Sequence, residues 1–108
     1  MMNLVDIQDG LLHCPQCGSN GMSQHDVAIF MRGGKHNKGW ITAATNKGSI
    51  IKTSAKMDKN PSMYADGIRI TFSCEVCDFN KPTFTLTIGH HKGVTQVEWE
   101  ESKKAKAY

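Results

Sequence analysis

Cys14, Cys17, Cys74 and Cys77 are the only cysteines of the chain, and they fall as C-x-x-C, 56 intervening residues, and a second C-x-x-C. A C-x-x-C turn aims two sulfurs at one point, and two such turns complete the tetrahedral shell of four thiolates that zinc prefers. The residue after the second cysteine of such a turn often takes a left-handed backbone, and Gly18 and Asp78, which stand there, are types that tolerate it. Pro15 pre-sets the first turn. These features read as one structural Zn2+ held by Cys14, Cys17, Cys74 and Cys77, with an insertion that is long for a compact ribbon. A thioredoxin-like redox pair would carry a single C-x-x-C at a strand-to-helix junction, and no long helical pattern follows either pair. A catalytic zinc needs a position open to water, which four thiolates do not leave. His13, next to Cys14, is read as a side chain pointing away along its strand.

The elements that must position these thiols read as strands. In "GIRITFS", Ile68, Ile70 and Phe72 alternate with Arg69, Thr71 and Ser73. In "TFTLTI", Phe84, Leu86 and Ile88 alternate with threonines, and "VTQVEWE" places Thr95, Val97 and Trp99 on one side. The second knuckle joins the first two runs, and "GHHKG" at 89–93 reads as a hairpin loop between the last two. The fold class is therefore mainly β: a zinc-ribbon-like domain with a three-stranded antiparallel sheet, its apolar face covered by the first knuckle and the zinc. A chain of 108 residues with 39% hydrophobic residues reads as one domain with a modest core, residues 1–101, followed by a flexible basic tail, 102–108. No apolar run approaches the ~20 residues that span a bilayer, and "MMNLVDIQDG" is not a secretory signal. The expected compartment is cytoplasmic, where thiols stay reduced and metal binding is favoured over disulfides.

With these residues in place, "CEVCDFNKPTFTLTIGHHKGVTQVEWE" resembles the C-terminal half of a group of small zinc-ribbon proteins found in bacteria and their phages. The group pairs an N-terminal "CPxCG" knuckle and a variable middle with "F-x-C-x-x-C", an alternating strand, "QHKG" and a strand ending in "EW". The likeness covers residues 11–18 and 68–99, and departs at His90, where the pattern has a Gln-type residue, and in the middle segment. It implies a zinc-ribbon fold and a phage or mobile-element setting, and it implies no activity.

The insertion, 19–67, carries the rest of the functional signal. "VAIFMR" at 27–32 and "WITAAT" at 40–45 read as strands around a glycine-rich basic loop, "GGKHNKG" at 33–39, and a turn at "NKG" leads to "SIIK". Beyond Lys52 the polar, Pro/Gly-punctuated stretch to 67 reads as a long mobile loop, with room for a short helix near 53–59. Residues 31–60 carry seven Lys and Arg against Asp58 alone, whereas residues 1–30 carry three acids and no Lys or Arg. Four thiolates on one zinc ion add −2 to the formal net charge of +3, so the clustering of charge, not its total, argues for a nucleic-acid partner. The candidate contacts for nucleic acid or another partner are Arg32, Lys35, His36, Lys38, Trp40, Lys47, Lys52 and Lys56.

Signatures of catalysis are missing. The chain contains no Walker loop, G-x-S-x-G or H-E-x-x-H motif. His90 and His91 sit at a hairpin tip, where adjacent strand residues point opposite ways; this argues against chelation, with Lys92 and Gly93 setting the turn. The expectation is a non-catalytic zinc-binding protein that contacts nucleic acid as an adaptor. The alternative is a protein-interaction module, such as a phage-encoded inhibitor of a host nucleic-acid-processing machine, with Met22, Met31, Met57 and Met63 offering adaptable contacts to a host protein.

Overall fold

The strand that follows the first knuckle and the strand that precedes the second pair with each other, and the sheet is built outward from that ladder. A computed structural model describes residues 4–32, 38–45, 47–77 and 84–100. Two short strands, β1 (Ile7–Gln8) and β2 (Leu11–Leu12), form a hairpin. They are followed by β3 (Met22–Met31), β4 (Lys38–Thr45), β5 (Gly48–Lys56), β6 (Gly67–Cys74), β7 (Phe84–His91) and β8 (Val94–Trp99). The last six make one sheet in the order β5-β4-β3-β6-β7-β8, all antiparallel, so two three-stranded meanders meet at the β3–β6 ladder. The fold is mainly β as expected, and the expected three-stranded unit, β6–β7–β8, is half of the larger sheet.

Alternation explains why both faces need cover. On β3 and β4, Ala28, Phe30, Ile41 and Ala43 point to one face and form a core with Met57 and Ala55. On β6 to β8 the apolar residues point to the opposite face: Phe72, Leu86 and Trp99 pack with Val5, Leu12, Met22, Ile70 and Phe84. Trp99 meets Phe72 and Phe84 edge-to-face, with ring centroids 5.8 and 6.2 Å apart; such geometry adds ~0.5–1.5 kcal/mol per pair beyond area burial. The β1–β2 hairpin is thus the lid over the second core. Asp9 and Gly10, at its tip, both have positive φ (53° and 77°), the mirror-image turn that Asp-Gly favours.

Between β5 and β6 the chain departs from the sequence expectation. β5 continues through Lys56 where a short helix and the start of a loop were expected, because an edge strand exposed on its outer side needs no apolar alternation to extend. The loop of residues 57–66 is fastened at many points. The Ser62 amide donates to Asn60 Oδ1 (2.8 Å), Ser62 Oγ donates to the Asp66 carbonyl (2.5 Å), and the His90 amide donates to Ser62 Oγ (2.7 Å). Arg32 is 5% exposed. Its guanidinium donates to the carbonyls of Ser62 (2.6 Å) and Ala65 (3.0 Å), and its amide donates to Asp66 Oδ1 (2.9 Å). The loop crosses the sheet at Gly67 and Gly89, where a Cβ would run into Pro61.

A second buried arginine ties the far limb together. Arg69 on β6 makes a forked ion pair with Glu100 just beyond β8, reaching across β7. The turn between β7 and β8 is two residues, Lys92 and Gly93, with φ of 50° and 83°. His90 and His91 are therefore strand residues, opposite Thr95 and Val94. The 102–108 segment and Asp78 lie outside the described residues. Among the described residues no helix is long and apolar enough to cross a membrane.

Removing the Arg32 guanidinium takes the donor from the Ser62 carbonyl and one of two donors from the Ala65 carbonyl, which Asn60 Nδ2 also reaches. Arg32→Ala is expected to lower stability by roughly 2–4 kcal/mol in urea unfolding, with Arg32→Lys failing to restore it because an ammonium lacks the fork. A loss below ~0.5 kcal/mol, typical of a neutral surface change, would show that the clasp is not what holds the loop.

Candidate metal centre

Antiparallel pairing brings the two knuckles to one end of the sheet. β3 starts at Met22, shortly after Cys17, and β6 ends at Cys74, and Met22 is the direct partner of Cys74. The Glu75 amide donates to the Gly21 carbonyl (2.9 Å), extending the ladder into the knuckles themselves. Each knuckle then turns back on its own first sulfur. In the first, the Gly18 amide donates to the Cys14 carbonyl (3.0 Å), the Gln16 amide donates to Cys14 Sγ (3.4 Å), and the Cys14 amide donates to the Ser19 carbonyl (2.8 Å). Gly18 takes φ of 80°, as its place after the second cysteine requires.

The four sulfurs lie within 4.8 Å of one another. Cys14 Sγ and Cys77 Sγ are 3.9 Å apart, and Cys17 Sγ and Cys74 Sγ are 3.5 Å apart. A tetrahedral thiolate centre with metal–sulfur bonds of ~2.3 Å sets its sulfurs ~3.8 Å apart, so the spacing fits one metal ion at the middle of the cluster. A disulfide needs sulfurs at ~2.05 Å, and all four cysteines are free thiols. Cys14 and Cys74 are buried, Cys77 is half-buried and Cys17 reaches the surface.

The electrostatics of the cluster follow from these contacts. Burial pushes the Cys14 thiol up, against the Cys17 and Gln16 amides that pull it down. Burial, followed by the neighbouring thiols of Cys17, Cys74 and Cys14, pushes Cys77 up to about 12. Burial also raises Cys74, but the amides of Cys77 and Val76 and the thiols of Cys17 and Cys14 together outweigh it and bring the group down to about 7. Cys74 is thus more readily ionised than Cys14 or Cys77, and a cation at the centre would draw the protons off those two.

His13 is not a ligand in this arrangement. Its Nδ1–H donates to the Gly18 carbonyl (2.9 Å), which braces the first knuckle from outside. Sequence reading passed over Ser19, whose hydroxyl accepts from the Gly21 amide (3.0 Å), and over the hairpin turn at Asp9–Gly10; an Asp-Gly pair is the signal that would have found the latter.

The other candidate contacts scatter. Lys38, Trp40, Lys47, Lys52 and Lys56 are exposed on β4, β5 and the turn between them. Lys38 stands directly opposite Lys56, and Trp40 is two residues along the same strand and 44% exposed. Lys47 is at the far tip of that hairpin. Lys52 shares the opposite face with Ile41 and lines an open cleft of about 350 Å³ with Ala55, Lys56, Asp58 and Lys59. Arg32 is the correction: it is buried in the clasp and presents no guanidinium to a partner. Lys35 and His36 lie outside the described residues. The methionines form no common surface, since Met57 and Met22 pack in opposite cores while Met31 and Met63 are exposed.

Comparison with protein-family models, with curated proteins and with solved structures returned no match. The geometry of the four thiols therefore stands by itself as the functional evidence: this is a β domain with a four-cysteine site able to hold one metal ion.

Two outcomes test the site. Cys74→Ser, which removes a buried ligand, is expected to abolish stoichiometric metal in the purified protein and either unfold it or lower its Tm sharply by circular dichroism. Undiminished stability in a metal-free Cys74→Ser protein would refute a structural metal. Metal affinity should also follow pH. Cys14 and Cys77 are held above the ordinary thiol value and keep their protons at neutrality, so binding there must release both. Those two protons alone make apparent affinity rise about 100-fold per pH unit, and Cys74, at about 7, adds to this on the acid side, so a rise of at least ~100-fold per pH unit is expected between pH 6 and 8, with the matching fall on acidification, in competition with a chromophoric chelator.

Proposed function

We propose that this chain is a zinc-stabilised, non-catalytic domain that binds nucleic acid through the limb formed by β4 and β5. Zinc is the metal that an all-thiolate tetrahedral site suits. When bound, it would fix the two knuckles as a closed, four-coordinate centre with no position for water or substrate, which supports a structural role. Cys14, Cys17, Cys74 and Cys77 would be its ligands.

The observation that carries the nucleic-acid reading is the corner at which Lys38 faces Lys56 beside exposed Trp40. Like charges directly opposite one another on a sheet oppose folding. Their retention here, next to a ring that can stack on a base, suits a site that an external phosphate backbone neutralises. Lys47, Lys52 and Lys59 add to the same limb, against Asp58 alone. The resemblance of the knuckles and the "HKG…EW" ending to small bacterial and phage zinc ribbons supports a phage or mobile-element setting for this activity.

A second reading is a protein-interaction module acting on a host nucleic-acid-processing machine. It is favoured by Met63 and Tyr64, which are 63% and 69% exposed on the fastened 57–66 loop and so present an adaptable thioether and a ring on a fixed support.

Single-stranded oligonucleotide binding, measured by fluorescence anisotropy across a salt series, separates the two. The wild type is expected to bind at low salt, with the Lys38→Ala/Lys56→Ala double variant reducing the slope of log affinity against log salt by about 2. Trp40→Ala is expected to cost ~1–3 kcal/mol of binding. Absence of binding at low salt, with a nuclease-resistant host protein recovered through the wild type but lost on Met63→Ala/Tyr64→Ala substitution, would establish the second reading instead.

A further inference from the structure

The two ends of the sheet differ in charge. One end holds the four thiols. Asp6, whose carbonyl takes the His13 amide, Glu75 within the second knuckle and Glu98 beside Leu4 lie near it, against Lys47 on the β4–β5 turn. At the other end β3, β5 and β7 finish and β4, β6 and β8 begin. That end carries Lys38, Lys56, Lys92 and the buried Arg32, and the 57–66 loop that closes it adds Lys59, Asp58 and Asp66.

The hydrogen bonds of that loop fix what stands between the two corners of the cationic end. Ser62 Oγ accepts the His90 amide near the end of β7, and the Ser62 and Ala65 carbonyls take the Arg32 guanidinium just past β3. Tyr64 is therefore held between the ends of β3 and β7, where β6 begins, and it is 69% exposed. To one side of it lies the corner of Lys38, Lys56 and Trp40, and to the other the β7–β8 turn with Lys92. Four strand spacings separate the corners, roughly 19 Å. That is on the order of the four nucleotides that the smallest single-strand sites take.

Lys92 carries a second, independent signal. It opens a two-residue turn with φ of 50°, a left-handed backbone that glycine, asparagine or aspartate adopts at less cost. A lysine kept in such a conformation is the kind of local departure that function retains. Its side chain is exposed and enters no salt bridge among the described residues.

We infer, on the nucleic-acid reading above, that a single strand crosses this end of the sheet from the Lys38–Lys56 corner, over the Tyr64 ring, to Lys92. Lysines then meet phosphates at both corners, and the rings of Trp40 and Tyr64 stack on bases along the way. The charge difference keeps the polyanion away from the thiolate centre, where four sulfurs around one zinc ion would carry −2.

Anisotropy of a fluorescein-labelled oligothymidylate of about 10 nucleotides tests the path, with urea unfolding as the check on the fold. Lys92→Asn is expected to leave stability unchanged or higher, because asparagine suits the turn. It is also expected to weaken binding about 5- to 10-fold near 0.1 M salt and to lower the salt slope by about 1. Tyr64→Ala is expected to weaken binding at least fivefold, and Tyr64→Phe less than twofold, since the ring alone is used. Binding that Lys38→Ala/Lys56→Ala weakens but that either Lys92→Asn or Tyr64→Ala leaves intact overturns the path and spares the nucleic-acid reading. A wild type that binds no oligonucleotide at low salt overturns both.

Discussion

Two pairs of thiols separated by 56 residues must converge on a volume less than 5 Å across, and the way the chain solves this organises everything else. Each knuckle abuts a strand, the first just before β3 and the second just after β6. Antiparallel pairing of those strands places the beginning of one beside the end of the other, whatever lies between. Met22 opposite Cys74 and the Glu75–Gly21 bond are the last rungs of that ladder and the first struts of the metal centre. The cost of closing so long a loop grows only with the logarithm of its length, which is why an insertion that is long for a ribbon is compatible with a tight cluster.

That insertion is more than a spacer. Its strands β3, β4 and β5 double the width of the sheet, and the 57–66 loop returns over its face to seal the core around Phe30 and Met57. The two buried arginines hold the two limbs in parallel ways. Arg32 fastens the returning loop to β3 through carbonyls, and Arg69 fastens β6 to the chain end through Glu100. Each places a planar fork among acceptors that no single apolar residue could satisfy. The sheet accordingly carries two small cores on opposite faces, each roofed by a different excursion of the chain.

The features legible in the sequence were those with a strict geometric period. Cysteine spacing announced the metal site, and the alternation of Ile68, Ile70 and Phe72 with Arg69, Thr71 and Ser73 announced β6 and the strands beside it. Lys92 and Gly93 were readable as setting the turn, but the loop read at 89–93 is shorter, and His90 and His91 belong to β7. What escaped had no period to read. "TSAK" lacks apolar alternation because β5 is an exposed edge, so its strand character comes from pairing with β4 alone. The clasp around Ser62 is made largely of side chain to backbone hydrogen bonds, for which composition offers no signal, and a Pro- and Ser-punctuated stretch looks the same whether fastened or loose. Arg32 read as a surface cation because guanidinium groups usually are; the carbonyls of Ser62 and Ala65, far along the chain, make its burial tolerable.

The placement of the two ligand pairs on either side of the insertion in sequence also dictates a timetable. On the ribosome, Cys14 and Cys17 emerge first, and at ~5–20 residues per second several seconds pass before Cys74 and Cys77 follow. During that interval the first knuckle is a bare dithiol with no partner pair, open to oxidation or to capture of an ion it cannot fully enclose. The sheet is no better placed, since β3 can pair with β4 and β5 at once but lacks β6, the strand that completes the site. Maturation is therefore bound to the end of synthesis: the domain acquires its metal and its central ladder in the same late step, and a chain truncated before residue 74 would have neither.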